Sequence, residues 1–469
     1  MKRIVTLLLA AGLVFGAFGG AQAADIKAKG QWDFNFEFLN NTDFQSKEHG
    51  GKGGDTFAGK QRLRTQIDIV ASESLSGTVY FEMGDTIWGK EDGALGADGK
   101  SVEVKRSYID WIVPNTDLKV RMGIQGLALP GFVAGSPVLD DDVAAITMSY
   151  AFNDMVAATA FWARPYDTAA TDTNSTRSFD EMDLFGLIVP VTLDGMKIQP
   201  WAMYGTFGKD ILDVYGDKAY NQASAKQAAF GLMPAVLPAG AAAADDTFDA
   251  WWGGLSYELS MFDPIRFKID GLYGSVTNDK DEWERSGWLV IGALDYKMSM
   301  MTPGLFAWYG SGDDDDAGNG SERMPYISPD FGPTSFGFDK PGAPIATDSL
   351  LSVSGAGTWG VGLQLADISF IENLKHTLRV AYIKGTNDAA MAKNGSNGVA
   401  TLKQSGNGLY LTDEDSAWEV NFDHTYNIYE NLALIVEMGY IKLDVDEDTW
   451  GSAEYDDAMK LGFNLKYSF

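Results

Sequence analysis

Residues 31–38 read Gln-Trp-Asp-Phe-Asn-Phe-Glu-Phe, a strict alternation of polar and aromatic side chains. Successive side chains of a β-strand point to opposite faces, so this segment predicts a strand with one polar and one apolar face. The polar face carries Gln31, Asp33, Asn35 and Glu37, and the apolar face carries Trp32, Phe34, Phe36 and Phe38. Such a strand belongs to a sheet whose two sides meet different surroundings.

The same period of two recurs from this segment to the end of the chain. Apolar residues alternate with polar ones at Leu63, Ile67 and Ile69, at Leu118, Val120, Met122 and Ile124, and at Met459, Leu461, Phe463, Leu465, Tyr467 and Phe469. No segment after the leader offers the roughly 20 apolar residues that a membrane-spanning helix needs. The chain is therefore predicted to be all-β.

Short and long connections take turns between these strands. The short ones are 74–77, 114–117, 153–154, 192–195, 261–264, 298–303, 370–375 and 427–431. The long ones are 40–60, 89–101, 126–142, 165–180, 207–248, 277–285, 311–354, 385–415 and 444–455. Together they predict about 18 strands, with 16 as the alternative, and both chain ends on the short-turn side. This pattern is typical of a transmembrane antiparallel β-barrel with long external loops and short periplasmic turns.

The predicted barrel forms one domain, residues 24–469, and closure has a physical reason. A free sheet edge exposes backbone N–H and C=O groups that hydrocarbon cannot satisfy. Tryptophans near strand ends fit the aromatic girdles of such barrels, and we expect them at Trp88, Trp111, Trp162, Trp201, Trp251, Trp288, Trp308 and Trp418. The alternative, a soluble multi-sheet protein, would need an inner partner for nearly every apolar face.

Composition excludes several classes of function. The chain has 469 residues, a formal net charge of −29 and no cysteine. The negative charge argues against a general nucleic-acid binder, and the missing cysteines exclude disulfides, thiolate zinc sites and cysteine nucleophiles. The three histidines, His49, His376 and His424, are placed in a long loop, a short turn and a strand, and no Gly-x-Ser-x-Gly elbow occurs. We therefore expect neither an enzyme nor a cofactor.

Residues 1–23 have the pattern of a cleaved secretory signal peptide. Lys2 and Arg3 precede an apolar stretch, and Ala21-Gln22-Ala23 forms an A-x-A cleavage site. Cleavage would leave 34 basic against 65 acidic residues, a net charge of −31. Export followed by barrel insertion predicts a location in a bacterial outer membrane.

If the apolar faces meet lipid, the polar faces line a water-filled lumen. Basic residues with lumenal phase gather on the first, second, fourth, fifth and last strands, at Lys27, Lys29, Arg62, Arg64, Arg106, Lys119, Arg121, Lys460 and Lys466. A closed barrel makes the first and last strands neighbours, so these positions form one wall. They either screen solutes or represent ordinary lumenal polarity balanced by Asp33, Glu37, Asp68 and Glu82.

The third long connection, 126–142, carries apolar residues that would be poorly placed in open water. Folding it into the barrel would bury Leu127, Leu129, Phe132 and Val133. Asp140, Asp141 and Asp142 would then face Arg62, Arg64, Arg106, Lys119 and Arg121 across a constriction. Opposed charges across a narrowing favour small polar solutes. An external loop packed on its neighbours is the alternative.

Acidic runs at 313–316 and 444–448 suggest calcium, because oxygen-rich loops suit that ion. However, the second run has Thr449 where an EF-hand needs glycine and Tyr455 at the twelfth position, and the first lacks the required glutamate. Solvated external loops are the expectation, with divalent cations loosely bridging them to lipid phosphates as a further possibility.

Three segments resemble the outer-membrane homotrimeric porins of sulfate-reducing bacteria. They are the opening Met-Lys-Arg-Ile-Val-Thr-Leu-Leu-Leu-Ala-Ala-Gly-Leu, the processing region Ala-Gln-Ala-Ala-Asp-Ile-Lys-Ala-Lys-Gly-Gln-Trp-Asp-Phe and the terminal Leu-Lys-Tyr-Ser-Phe. The resemblance implies a trimer of water-filled pores in outer-membrane lipid, and recognition of Tyr467 and Phe469 by the barrel-assembly machinery. It also places 126–142 as the loop that narrows general porins. Pro137-Val138-Leu139-Asp140 stands there instead of the usual Pro-Glu-Phe-Gly-Gly.

The sequence thus predicts a porin for passive diffusion of small hydrophilic solutes and ions. The alternative is a substrate-specific outer-membrane channel with a saturable site, in which Tyr80 and Tyr108 would line a sugar-like slide. A purely structural barrel would conduct nothing.

Overall fold

The computed structural model describes residues 24–45, 55–90, 93–96, 102–167, 181–209, 231–245, 247–339, 342–393, 402–404, 407–451 and 455–469. The predicted leader, residues 1–23, and His49 lie outside the described residues. Within these residues, no α-helix combines the length and apolar character required to cross a membrane.

Eighteen strands form the wall, each following its neighbour in chain order. They are β1 Asp25–Asn40, β2 Thr56–Ser72, β3 Leu75–Ile87, β4 Glu103–Ile112, β5 Lys119–Ala128, β6 Asp140–Ala151, β7 Ala157–Asp167, β8 Glu181–Ile188 with Val191–Leu193, β9 Met196–Gly208, β10 Thr247–Leu259, β11 Ile265–Thr277, β12 Arg285–Tyr296, β13 Thr302–Gly310, β14 Thr358–Ile371, β15 Leu374–Gly385, β16 Ser416–Tyr429, β17 Leu432–Asp444 and β18 Ala458–Ser468. Short helices at Ala389–Lys393 and Glu447–Trp450 lie in connections.

The two segments of β8 form one strand that Pro190 interrupts. Ile188 lies opposite Trp201 and Val191 opposite Ile198, so one register continues through both segments. Pro190 cannot donate a backbone hydrogen bond, which accounts for the break. The prediction of 18 strands is therefore confirmed, and 16 is excluded.

The sheet closes on itself between its first and last strands. β1 pairs with β18 from Gln31 opposite Ser468 to Asn40 opposite Met459, and all neighbouring pairs are antiparallel. Phe469 extends this seam, since its backbone N–H and C=O both hydrogen-bond to Gly30. The barrel has no free edge, as the sequence predicts.

The two faces of the wall divide as the alternation predicts. On β1, Asp33, Asn35 and Glu37 are fully buried inside the barrel, whereas Trp32 and Phe38 are 39% and 51% exposed on the outside. The outer surface of the other strands is similarly rich in exposed aromatic and aliphatic side chains. An apolar exterior around a polar interior is the arrangement of a membrane barrel.

The prediction that eight tryptophans lie in the outer girdles is wrong for two of them. Trp88, Trp162, Trp251, Trp288 and Trp418 are exposed on the outer surface, and Trp111 is half-buried there. Trp201 and Trp308 face inward and are buried, at 5% and 3% exposure. Trp308 lies edge-on to Phe331 and Phe338, which belong to the connection between β13 and β14. The interior contains an aromatic core that alternation alone does not predict.

Two connections supply much of this core. The third loop (residues 129–139) and the seventh loop (residues 311–357) pack their apolar side chains against the inward faces of β6 to β16. They also lie side by side, since backbone N–H groups of Ile327, Asp330 and Gly332 donate to carbonyls of the third loop at 2.8–2.9 Å. Gly135 (φ +79°) permits the approach, because a Cβ there would meet the Asp330 carbonyl oxygen at 2.4 Å. The loops therefore form one packed body inside the barrel.

Candidate pore lining

One sector of the inner surface is lined by paired charges that remain in contact with solvent. We call it the open wall, and it comprises the inward-facing Arg64, Asp68, Tyr80, Glu82, Tyr108, Asp110, Lys119 and Arg121 of β2–β5. Arg64 Nε donates to Glu82 at 2.5 Å, and Arg121 makes two 2.8 Å hydrogen bonds to Asp110. The side chains of Lys119 and Arg121 are 51% and 30% exposed. The sector therefore presents guanidinium and ammonium groups to water.

The tyrosines of the open wall carry cations on their rings. The Arg121 guanidinium lies 4.1 Å from the Tyr108 ring centroid, and that of Arg106 lies 5.7 Å from the Tyr80 centroid. Such cation–π contacts occupy an aromatic face. A sugar ring would need that face free, so this geometry disfavours Tyr80 and Tyr108 as a sugar-like slide.

The remaining predicted basic residues on the wall pair with carboxylates close to them in the sheet. Arg62 lies opposite Asp33 of β1 and 3.5 Å from an Asp85 oxygen. Lys119 shares Asp110 with Arg121, with its Nζ 3.7 Å from the carboxylate. One wall thus brings together Arg62, Arg64, Lys119 and Arg121. Their counterions are carboxylates of neighbouring strands and not the predicted residues Asp140–Asp142.

Asp140, Asp141 and Asp142 do not form a single patch. They are consecutive residues at the start of β6, so their side chains alternate between faces. Asp141 accepts a 2.8 Å hydrogen bond from Ser328 of the seventh loop. Asp142 pairs with Arg106 and Lys105 at 2.5 and 2.6 Å. Of the basic residues predicted to face this triplet, the structure places Arg106 in contact with it.

The third loop extends across the interior to a distant strand. The backbone N–H groups of Phe132 and Val133 donate to the Asp270 carboxylate of β11 at 2.8–2.9 Å. Leu127 and Leu129 are buried at its base, where Leu129 N–H bonds to the Leu139 carbonyl. The tip of this loop is therefore held by Asp270 and not by the basic residues of β2–β5.

The seventh loop is held by a buried carboxylate on β16. Glu419 is fully buried, and it accepts hydrogen bonds from Thr334 Oγ1 at 2.7 Å and from the backbone of Phe336 and Gly337 at 3.1 and 3.0 Å. Asn421 on the same strand donates to it as well. A buried carboxylate is tolerated when its oxygens are saturated by donors, and here the loop supplies most of them.

Farther along, the seventh loop crosses the seam of the barrel. Lys460 of β18 donates to the carbonyls of Ser335 and Thr347 and to Glu437 of β17, at 2.7–3.0 Å. Thr347 in turn donates its N–H and Oγ1 to Glu37 of β1 at 2.9 and 2.7 Å. We call these inward faces of β16, β17, β18 and β1 the covered wall. Lys460, predicted to belong to the basic lumen, is buried under the loop instead.

Sequence reasoning missed the seventh loop with its anchors Glu419 and Glu437, and it missed Asp270, the anchor of the third loop. Apolar side chains in the connection 126–142 predict that it folds into the barrel, and the connection 311–354 has the same property. That connection contains Phe331 and Phe336, which are fully buried. The same reasoning, applied evenly, would have placed both loops inside.

The acidic run at 313–316 is partly internal. Asp313 is 2% exposed and accepts 2.5 Å hydrogen bonds from Tyr410 and Ser321. Asp446 caps the short helix at Glu447–Trp450 by accepting from Thr449 N–H. Among the described residues, no group of three or more metal-binding side chains could hold an ion.

Two histidines meet on the outer surface near a short turn. His376 lies on β15, not in the turn as predicted, and its Nδ1 is 2.6 Å from Nδ1 of His424 on β16. Both are in phase with the exposed Phe422. The pair therefore lies outside the lumen, away from any solute path.

Two neighbouring carboxylic acids, Asp339 and Asp348, lie in the part of the seventh loop that packs on the covered wall. Burial and the neighbouring Asp339 carboxylate raise the pKa of Asp348 to about 8, while Lys460 and a Ser349 hydrogen bond act in the opposite direction. Two carboxylates held close together cannot both ionise cheaply. Loop packing is therefore coupled to protonation near neutral pH.

Comparisons with known proteins agree on the fold. No protein-family model and no curated protein matches the chain. The solved structure of OccK11 (OpdR) from Pseudomonas aeruginosa aligns with a TM-score of 0.52 and 12% identity, covering 96% of this chain and 99% of that one. OccAB3 from Acinetobacter baumannii gives 0.51 and 10%, covering 94% and 99%.

A third structure, Pseudomonas aeruginosa OpdK with vanillate, gives a TM-score of 0.51 and 10% identity, covering 95% of this chain and 98% of that one. At such identities the similarity extends to the fold alone. The chain is a closed 18-stranded antiparallel β-barrel over nearly its whole length.

Proposed function

We propose that this protein is an outer-membrane porin through which small hydrophilic solutes and ions diffuse passively. The open wall carries this proposal, because its Lys119 and Arg121 side chains are 51% and 30% exposed on the inside of an apolar-coated barrel, as expected of a water-filled lumen. The structures it resembles are outer-membrane porins, channels for small solutes, which supports the same function. The absence of a clustered nucleophile and base in the described lumen gives no support to catalysis.

Planar-bilayer recording of the purified full-length protein tests the proposal. We expect discrete single-channel steps whose conductance scales with salt concentration, and weak ion selectivity. A barrel that inserts into the bilayer but conducts nothing would refute the porin function.

A second part of the proposal assigns the constriction to the third loop with the open wall. Arg106 and Asp142 at its base, and Arg62, Arg64, Lys119 and Arg121 beside it, would then set the local field, with Asp140 and Asp141 at the loop boundary. Deleting residues 130–138 should raise the conductance. An unchanged conductance would place the narrowest point elsewhere.

A substrate-specific channel with a saturable site is the second candidate. Its support is the solvent-exposed cations of the open wall together with the vanillate in a structural neighbour, since an aromatic carboxylate would be attracted to Arg64 and Arg121. Vanillate flux into liposomes distinguishes the two. Saturation with competition by related carboxylates favours the specific channel, and linear flux favours the general porin.

Assembly is proposed from the sequence resemblance. We infer a homotrimer in outer-membrane lipid, exported with a cleaved leader and inserted by the barrel-assembly machinery. Phe469 supports the last inference, because its ring packs beside Gly30 at the seam while 46% of the residue remains exposed. Mass determination of the native complex checks the trimer, and an N-terminus at Ala24 checks cleavage.

A further inference from the structure

A cluster of aromatic rings and lysines lies on the outer surface at the long-loop ends of β14–β17. The rings of Trp359 and Tyr382 have centroids 5.7 Å apart, and those of Tyr382 and Trp418 are 5.1 Å apart. Lys384 lies directly opposite Trp359, and Lys442 directly opposite Trp418. Trp418 is 52% exposed, so the row is open to its surroundings. We call these five residues the rim cluster.

The two lysines of the rim cluster lack counterions. Within the described part of the chain, neither ammonium group forms an ion pair or side-chain hydrogen bond. Asp444 shares their face two residues beyond Lys442, and it pairs with neither. By contrast, Arg164 on the outer surface of β7 is held by Asp183 at 2.6 Å and by Asp167 at 3.4 Å. Both ammonium groups of the rim cluster are therefore without a direct ion pair, and with Asp444 beside them the face keeps a net charge of +1.

The position of this charge limits what can bind there. Lysine is costly against acyl chains but stable at the headgroup level, where tryptophan and tyrosine also concentrate. Lys384 and Lys442 are two strands and two residues apart, which places their Cα atoms roughly 12 Å from each other. Two extended lysine side chains can converge on one group across that distance, above Trp418.

We propose that Lys384 and Lys442, with Trp418 between them, bind a phosphate in the headgroup of a glycolipid of the outer leaflet. The ammonium groups contact the phosphate, and the rings pack against the sugar and the start of the acyl chains. Juxtamembrane lysines bind anionic headgroups by this electrostatic attraction. The inference rests on the proposed placement in an outer membrane, but it does not depend on conduction.

Native mass spectrometry of the full chain in detergent, with added diphosphoryl lipid A, tests the site. We expect the wild-type protein to retain lipid A and to retain its dephosphorylated form at least five-fold less. The double variant Lys384→Gln/Lys442→Gln should lose most of this preference. Lys297→Gln is the matched control, because Lys297 is an exposed lysine in the short turn after β12 at the opposite rim. It should bind like the wild type.

Three results would overturn the proposal. They are equal retention of both lipids by the wild type, unchanged retention by the double variant, and displacement of lipid A by millimolar inorganic phosphate, which would indicate a free-phosphate site. A loss of oligomers with unchanged lipid retention would instead assign the surface to a second copy. Single-channel conductance of the double variant provides a separate readout, since a normal conductance shows a folded pore whatever the lipid result.

Discussion

The open wall and the covered wall satisfy their charges in different ways. On the open wall the partners are close in sequence, with Arg64 and Glu82 18 residues apart and Arg121 and Asp110 11 residues apart. On the covered wall the partners that the seventh loop supplies are distant, since Glu419 and Thr334 are 85 residues apart and Lys460 and Thr347 are 113 apart. Adjacent strands alone can build the first wall, whereas the second requires a loop folded into the finished barrel. The first is suited to contact with solutes and the second to anchoring the loop.

The largest effect is expected from removing the anchor of the covered wall. Glu419→Ala leaves the Thr334 hydroxyl and two backbone N–H groups without their buried acceptor. We expect the free energy of unfolding to fall by about 3 kcal/mol and the conductance to rise as the seventh loop detaches. Urea unfolding in lipid vesicles and bilayer recording measure the two.

Glu82→Ala on the open wall is the matched control for this change. Its carboxylate has a partly exposed partner, Arg64, so the loss should remain below about 1 kcal/mol. Equal destabilisation by the two substitutions would show that the two walls do not differ in the way described.

The third loop provides a sharper, more local comparison. Asp270→Ala removes the acceptor of the Phe132 and Val133 N–H groups, so we expect a loss of about 2 kcal/mol and noisier single-channel currents. Asp295→Ala is the control, because Asp295 pairs with Arg266 on the neighbouring strand and contacts neither loop in the described residues. Quiet currents in Asp270→Ala would mean that the loop is held by its apolar contacts alone.

A pH dependence is expected of the covered wall. Because the pKa of Asp348 is raised to about 8, the packed loop binds a proton that the unfolded chain releases near pH 4. The stabilisation is therefore complete below about pH 4 and is lost progressively as the pH rises to about 8. Conductance should increase as the pH rises toward about 8 and level off above it, and Asp348→Asn should flatten that increase. A wild-type conductance independent of pH would contradict this coupling.

The smallest structural effect is expected on the open wall. Arg121→Gln leaves the Asp110 carboxylate with Lys119 alone. The reversal potential in a ten-fold salt gradient should shift toward cation preference on the order of 10 mV, where ideal selection would give about 59 mV. Stability should change by less than about 1 kcal/mol. A shift toward anion preference would contradict the solvent-facing role of Arg121.

The strands of the barrel wall could be predicted from the sequence, because the alternation of polar and apolar side chains along a strand is a local pattern. Trp32 and Asp33 report their faces through their nearest neighbours, and the connections then give the strand number. The loop contacts were not predictable in this way, because Glu419 and Thr334 show no pattern that links them across 85 residues. The inward orientation of Trp308 could not be predicted for the same reason, because its aromatic partners lie in the seventh loop.

The path of the seventh loop has a consequence for the order of folding. The loop leaves the wall after β13, yet Thr347 bonds to Glu37 on β1 and accepts from Lys460 on β18. These acceptors and donors become neighbours only when the N-terminal and C-terminal strands have joined. The seventh loop must therefore dock after the barrel has closed. Its hydrogen bonds then bridge the first and last strands and stabilise the closed barrel.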